Sequence, residues 1–106
     1  MDMVLSDYLT RVTIVTIDPG KEPRWDAAFR TRAAIARQQP GWVAVQLAIP
    51  ADAPNRRVVI GTWETRADWE KWHASDAFQQ TRNQMEGVEI APREEWWHEV
   101  ILTEHR

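Results

Sequence analysis

The order of β-type and helix-type segments constrains the fold of this chain more than any other feature of its sequence. Runs rich in β-branched residues alternate with stretches whose apolar residues recur at helical spacing, and Pro or Gly residues separate the two kinds. The predicted strands cover residues 8–17, 42–49, 57–63 and 95–103, and the predicted helices cover residues 23–39 and 65–86. The order is therefore strand, helix, strand, strand, helix, strand.

Two capping signals divide the second helical segment. Thr65 is followed three residues later by Asp68, which has the form of a capping box, and Ser75 followed by Asp76 offers a second helix start. We therefore expect either one bent helical hairpin or two short helices, ending at Gly87.

Right-handed crossovers in both strand–helix–strand units predict an α+β fold with a four-stranded antiparallel sheet and all helices on one face. The first strand is apolar on both faces, because Val12 and Ile14 point one way while Val15 and Ile17 point the other. A single layer of helices covers only one of these faces. We therefore predict a homodimer in which two sheets pack face to face.

The composition bounds the class of protein. A length of 106 residues favours one domain, predicted over residues 1–106 with its core at about 10–103. A net charge of −3 argues against a nucleic-acid partner, and the absence of cysteine excludes disulfides and thiolate chemistry. Residues 1–7 lack the form of a signal peptide, and no apolar run approaches the ~20 residues that span a bilayer. We therefore expect a cytoplasmic protein with no membrane partner.

Tryptophan is unusually frequent in this sequence. There are seven tryptophans, at positions 25, 42, 63, 69, 72, 96 and 97. Each indole offers a large apolar face and one N–H group that needs a partner, so this density indicates a packed interface or an aromatic-lined pocket. The alternative for any single ring is ordinary core packing.

Three short motifs stand in register with the predicted elements. They are Pro40-Gly41-Trp42 at the start of the second strand, Trp63-Glu64 at the end of the third, and Trp72-x-x-Ser75-x-x-Phe78 along the helices. With the element order around them, over about residues 12–101, they resemble the antibiotic biosynthesis monooxygenase domains. The resemblance implies a ferredoxin-like βαββαβ fold that dimerises into an α/β barrel. The family includes cofactor-free oxygenases of anthrone-type polyketides, haem-degrading enzymes and members without a settled activity, so the fold alone does not settle function.

The haem-degrading branch implies an Asn on the first strand, a helix Trp, and a His ten residues after that Trp. Trp72 fills the Trp position, but Arg82 stands where the His is expected and Thr13 where the Asn is expected. Arginine cannot ligate iron because it stays protonated, and His73 lies about 100° around the helix from Trp72. The expectation is therefore no metal and no cofactor, with haem as the alternative.

The cofactor-free branch implies a Trp at the end of the third strand and an Arg on the helix about twenty residues later. Trp63 and Arg82 match these two positions. The Asn expected four residues before that Trp is Val59 here, and the expected helical Tyr is Trp69, while Asn83 offers an amide from another position.

An oxygenase without metal or flavin needs an electron-rich substrate, because triplet oxygen reacts slowly with closed-shell carbon. A phenolic anthrone supplies an electron once it is ionised, so the site needs an apolar slot, a proton acceptor and a donor aimed at the enolate oxygen. The predicted catalytic residues are Arg82, Trp63, Trp72 and His73, and the predicted substrate-binding residues are Thr13, Trp25, Phe29, Trp69, Phe78 and Asn83. Arg82 is the expected donor, and His73 is a possible general base.

Structural alternatives stand beside these roles. Arg82 can instead pair with Glu86 on an exposed helix face, and His73 can be a solvated helix residue. Phe29 and Phe78 can simply pack helices onto the sheet. The leading hypothesis is a homodimeric, cofactor-independent monooxygenase that oxidises a planar phenolic or anthrone-type substrate with O2. The alternatives are a haem-degrading monooxygenase and a non-enzymatic dimeric barrel that binds a ligand or assists another protein.

Overall fold

In a computed structural model that describes residues 8–104 and 106, the chain forms four strands and three helices in the predicted order. The strands are β1 (Leu9–Thr16), β2 (Trp42–Ala48), β3 (Arg56–Trp63) and β4 (Glu94–Glu99), and the helices are α1 (Glu22–Ala36), α2 (Arg66–His73) and α3 (Asp76–Glu86). Residues 1–7, which the sequence analysis compared with a signal peptide, lie outside the described residues, as does residue 105 of the predicted domain.

The four strands form one antiparallel sheet in the order β2-β3-β1-β4, which confirms the predicted α+β, ferredoxin-like topology. β1 lies inside the sheet, so that Val12 is opposite Ile60 of β3 on one side and Trp96 of β4 on the other. The helices cover the face of β1 that carries Val15, which is almost completely buried. Odd-numbered and even-numbered residues of β1 therefore lie on opposite faces of the sheet.

The opposite face of the sheet carries no helix within the described residues. Val12, Ile14 and Ile60 are only half-buried on this face, and Trp96 is 45% exposed. We call this surface the open sheet face. It is the surface on which the sequence predicts the dimer contact, and within one chain its apolar side chains remain partly in contact with solvent.

The last strand is shorter than predicted. The sequence predicts a strand to residue 103, but β4 ends at Glu99, whose partner across the ladder is Leu9, the first residue of β1. Past this pair, the described residues show one more backbone hydrogen bond between the two segments, from the Val100 amide to the Tyr8 carbonyl at 3.4 Å. Ile101 and Leu102 are exposed, at 85% and 72%.

The second helical segment is two short helices, one of the two predicted arrangements. The Thr65 hydroxyl accepts a hydrogen bond from the Asp68 amide at 3.1 Å, and the Ser75 hydroxyl accepts one from the Phe78 amide at 3.2 Å. Each cap satisfies an amide that has no partner within its own helix. Among the described helices, none combines the length and the apolar character needed to cross a bilayer.

The Pro-Gly-Trp motif before β2 has a local steric cause. Gly41 adopts a φ of +83°, and a Cβ placed there would clash with the Asp68 carboxylate. The Gly41 carbonyl also accepts a hydrogen bond from the Glu64 amide at 2.7 Å. Only glycine allows the start of β2 to approach the first turn of α2 this closely.

The core consists of two clusters beneath the helices. One joins α1, α3 and β1 and contains Val15, Ile17, Trp25, Ala28, Phe29, Met85 and Val88. The other joins α1, β3, α2 and α3 and contains Ala36, Trp63, Trp72 and Phe78. Residues of both clusters line one cavity, which is therefore built into the core rather than added at its surface.

Candidate active site

A cavity of about 90 Å³, here called the inner cavity, lies between the helices and the helix-covered face of the sheet. Five of the seven tryptophans line it, namely Trp25, Trp42, Trp63, Trp69 and Trp72. Trp63 and Trp72 are each only 4% exposed, and Trp25 is fully buried. Most of the tryptophans therefore contribute to the wall of this one cavity.

The aromatic wall is fixed by direct ring contacts. Trp25 and Phe29 stack with their ring centres 5.3 Å apart and their planes 5° apart, while Trp72 meets Phe78 edge to face at 5.6 Å. The Trp25 Nε1–H group donates a hydrogen bond to Glu89 at 3.0 Å. These rings present flat apolar surfaces in defined orientations, a suitable environment for a planar aromatic molecule.

The inner cavity adjoins a second, more polar cavity of about 240 Å³, here called the outer mouth. Trp69, His73, Phe78, Arg93 and Glu95 line both. The two volumes together reach the lower end of the roughly 300–1,000 Å³ that small-molecule pockets occupy. The site thus has an apolar interior and a charged rim.

Eight of the ten predicted site residues line the inner cavity. They are Thr13, Trp25, Phe29, Trp63, Trp69, Trp72, His73 and Phe78. Arg82 lies in the outer mouth, where its side chain is half-exposed and its Nε donates to Glu86 at 2.6 Å. Asn83 is exposed and is in contact with neither cavity.

Three arginines that the sequence analysis did not single out line the inner cavity: Arg11, Arg32 and Arg93. Arg11 pairs with Glu95, and its guanidinium lies 5.0 Å from the Trp69 ring centre. Burial alone would lower the pKa of Arg93, but its two hydrogen bonds with Glu89 and the charges of nearby carboxylates raise the pKa overall. The cavity is thus walled by aromatic rings and positive charge together.

Periodicity offered a signal for two of these arginines. Arg32 lies three residues after Phe29 on the buried stripe of α1, and Arg11 shares the strand face of Thr13 and Val15. Arg93 follows α3 in an irregular segment, where no periodic pattern exists. Glu95 of β4, whose pairing no local pattern indicates, binds Arg11 at the wall of the cavity.

His73, the last residue of α2, lies where the inner cavity meets the outer mouth. Its ring is stacked between Trp69 at 3.8 Å and Phe78 at 3.9 Å. Burial, followed by the positive charge of Arg32, lowers the pKa of His73 to about 3. The imidazole is therefore neutral at physiological pH, and it is not the solvated helix residue considered as an alternative.

The donor set does not fit a haem group. Arg82, at the position where the haem-degrading branch has its histidine, cannot supply a lone pair to iron. Apart from His73, which is packed between Trp69 and Phe78, no described histidine lines either cavity, so no histidine stands at the position that the resemblance implies for the iron ligand. Within the part of the chain that the structure describes, no group of three or more His, Asp or Glu side chains could hold a metal ion.

Comparisons with known proteins agree with this architecture. The family model described as "Antibiotic biosynthesis monooxygenase" matches residues 9–84. No curated protein has a significantly similar sequence.

Solved structures share the fold at low sequence identity. A protein from Nitrosomonas europaea assigned to the antibiotic biosynthesis monooxygenases has a TM-score of 0.85 at 17% identity, covering 90% of this chain and 91% of that one. SnoaB from Streptomyces nogalater, a cofactor-independent oxygenase, has a TM-score of 0.82 at 23% identity, covering 92% and 96%. A conserved protein from Methanosarcina mazei Go1 has a TM-score of 0.84 at 10% identity, covering 91% and 97%. At these identities the likeness shows the fold alone.

Proposed function

Because the chain belongs to the antibiotic biosynthesis monooxygenase family, we propose that it is a cytoplasmic, homodimeric monooxygenase that oxidises a planar phenolic or anthrone-type aromatic with O2 and without a cofactor. The observation that carries this proposal is the inner cavity, whose aromatic walls suit a flat ring system and whose excess of arginines over carboxylates favours a negatively charged one. The cofactor-independent activity of the structurally similar SnoaB supports it.

The proposed reaction converts an activated methylene carbon of the substrate into a carbonyl. Loss of a proton leaves an electron-rich carbanion, which gives one electron to O2 and combines with the resulting superoxide to form a C–O bond. Loss of the second proton from that carbon and cleavage of the O–O bond give the carbonyl and release the other oxygen atom as water. The carbon supplies all four electrons that reduce O2, so no external reductant is needed.

The position of each described residue indicates its role in this proposed reaction. Trp63, Trp72 and Phe78 hold the ring system, and the Thr13 hydroxyl on β1 offers a hydrogen bond from the sheet side. His73 lies between the cavity and the outer mouth, where it relays the proton toward solvent. With a pKa of about 3 its imidazole is a weak base and stays neutral, so the relay would have to release a proton from one ring nitrogen as the other accepts one. Arg82 meets an anionic substrate at the outer mouth as it enters.

The test is product formation from a phenolic anthrone in the presence and absence of O2. The proposal expects the anthraquinone to form faster than in a matched sample of unfolded protein, only when O2 is present, and with one oxygen atom derived from ¹⁸O2. Equal rates with folded and unfolded protein would contradict it and favour a binding or accessory role. A Soret shift on mixing with hemin, followed by bleaching with reductant, would favour the haem-degrading alternative.

The homodimer is part of this proposal, and the open sheet face supports it. Val12, Ile14 and Ile60 lie side by side on the inner strands of that face, and Trp96 extends the apolar surface at β4. A second copy of the chain would cover the same residues on both sheets across a twofold axis. Mutual burial would remove these side chains from water without any further element of structure.

Sedimentation at micromolar concentration tests the dimer. Wild type and a conservative Ile60→Val variant should sediment as dimers, because the change keeps the contact apolar. Ile60→Glu should sediment as a monomer, because each chain would then place a carboxylate in the apolar contact. A monomeric wild type would refute this part of the proposal.

A further inference from the structure

Arg32 is a charged residue at a core position. It lies in the middle of α1, on the same buried stripe as Phe29 and Ala36, and only 7% of it is exposed. Its side chain lines the inner cavity together with the aromatic wall. Arginine is seldom buried to this extent unless it has a partner of opposite charge.

Arg32 has few partners for its five N–H groups. Its Nε donates to the Thr81 hydroxyl at 2.9 Å, and its guanidinium lies 4.1 Å from the centre of the Phe78 ring. Its Nη2 atom is buried without a hydrogen-bond partner among the described residues. No carboxylate of the described chain forms an ion pair with Arg32.

The other arginines of the site are already matched. Arg11 is paired with Glu95, Arg93 with Glu89, and Arg82 with Glu86. The inner cavity therefore contains one buried positive charge that the described residues do not balance.

The pKa of Arg32 agrees with an incompletely balanced charge. Burial, together with the charge of Arg93, lowers the pKa of Arg32 to about 10 although the charges of Glu89 and Glu86 oppose this shift, and its guanidinium remains protonated at neutral pH. A buried charge without a counter-ion costs free energy, and an anion placed beside it recovers part of that cost. An anion that also carries a flat apolar body would at the same time fill the aromatic cavity.

We propose that Arg32 binds the anionic oxygen of a planar aromatic ligand whose rings occupy the inner cavity. The ligand class is an aromatic enolate, phenolate or carboxylate, because the aromatic walls select the ring system and the guanidinium selects a planar oxyanion. An inorganic anion would satisfy the charge but leave the apolar walls uncovered. This inference deepens the proposed function and rests on the same cavity, with the anion held by α1 rather than by Arg82 of α3.

The experiment compares two probes of almost the same shape, 2-naphthoate and its neutral amide 2-naphthamide. Affinities are measured by calorimetry and by tryptophan fluorescence at two salt concentrations. Wild type should bind the carboxylate about tenfold or more tightly than the amide, the size expected of a charge-assisted hydrogen bond. Arg32→Met should abolish this preference, while Arg32→Lys should retain part of it.

Arg30→Met is the matched control, because it removes the same charge from an exposed position of the same helix that lines neither cavity. This variant should keep the preference for the carboxylate. An equal loss in Arg30→Met and Arg32→Met would show a general charge effect and overturn the proposal. Equal affinity of wild type for the two probes would also overturn it, and that result needs no variant to fold.

The outcome separates this inference from the proposed oxygenase activity. Selective binding of 2-naphthoate that depends on Arg32, with no oxidation of an anthrone, would support the anion site and refute the oxygenase. Oxidation of an anthrone with unchanged kcat/KM in Arg32→Met would support the oxygenase and refute the anion site.

Discussion

Two buried arginines, one on helix α1 and one on the strand packed against it, differ in their partners. Arg57 of β3 is 4% exposed and Arg32 of α1 is 7% exposed, so burial alone does not distinguish them. Arg57 donates two hydrogen bonds to the Asp26 carboxylate, at 2.8 and 3.0 Å, and two more to the carbonyls of Pro54 and Arg56. Those bonds to Asp26 raise the pKa of Arg57, whereas burial lowers that of Arg32.

The difference separates a structural charge from one available to a ligand. Arg57 fixes the start of β3 to α1, because its fork of N–H groups is used within the chain. Arg32 has a single hydroxyl partner and a buried nitrogen without one. The hydrogen-bond partners, rather than depth of burial, indicate which of the two charges belongs to the fold and which to the cavity.

The largest expected effect is on stability, and it should differ between the two arginines. Arg57→Met should lower the free energy of unfolding by about 2–4 kcal/mol, because it leaves the Asp26 carboxylate and two carbonyls without their donor. Arg32→Met should change it by less than about 1 kcal/mol or raise it, because an unbalanced buried charge is removed. Urea unfolding at one fixed protein concentration measures both, and a larger loss for Arg32→Met would contradict this comparison.

A second prediction concerns pH. The pKa of His73 is lowered to about 3 in the folded protein, while an unfolded histidine titrates near 6.5. The unfolded state therefore binds more protons between these values, so stability should fall as the pH drops from 6.5 toward 3 and should not change above 6.5 on account of His73. His73→Phe, which keeps the ring between Trp69 and Phe78, should have a flatter stability profile from pH 6.5 to 4 in urea unfolding.

The same histidine reports on Arg32 itself. Because the charge of Arg32 contributes to the lowered pKa of His73, Arg32→Met should raise that pKa, although burial keeps it below the ordinary value. An NMR titration of the His73 ring in wild type, Arg32→Met and Arg30→Met measures the shift. An equal shift of the His73 pKa in the two variants would show that the charge of Arg32 affects His73 no more than a surface charge does.

The smallest expected effect is at the junction of α2 and α3, which positions His73 and Phe78. The Ser75 hydroxyl donates to the Trp72 carbonyl and accepts from the Phe78 amide. Ser75→Ala should cost about 1 kcal/mol of stability, as is usual for an N-cap, and Ser75→Asp, which can still accept from that amide, should cost less. Equal losses in the two variants, measured by urea unfolding, would show that the cap does not hold this junction.

The elements that local signals define were predictable from the sequence. Thr65 and Ser75 predict the starts of their helices, because a cap involves only neighbouring residues. The end of β4 was not predictable, because it depends on where the distant residue Leu9 begins β1. The prediction from the apolar run alone therefore extended β4 beyond the residues that pair with β1.

The candidate site shows the same division between local and distant information. Its aromatic wall could be predicted, since tryptophans at strand ends and on helix stripes converge beneath the helices. The position of Arg32 was also readable from the stripe of α1, but its lack of a counter-ion was not. That property depends on which side chain of α3 packs opposite it, and the answer is the Thr81 hydroxyl rather than a carboxylate.

A crystal structure of the protein with 2-naphthoate tests the central claim most directly. The account predicts the naphthalene ring between Trp63, Trp72 and Phe78, with a carboxylate oxygen within about 3.2 Å of an Arg32 guanidinium nitrogen. A carboxylate held by Arg82 in the outer mouth, with the inner cavity filled only by water, would contradict it.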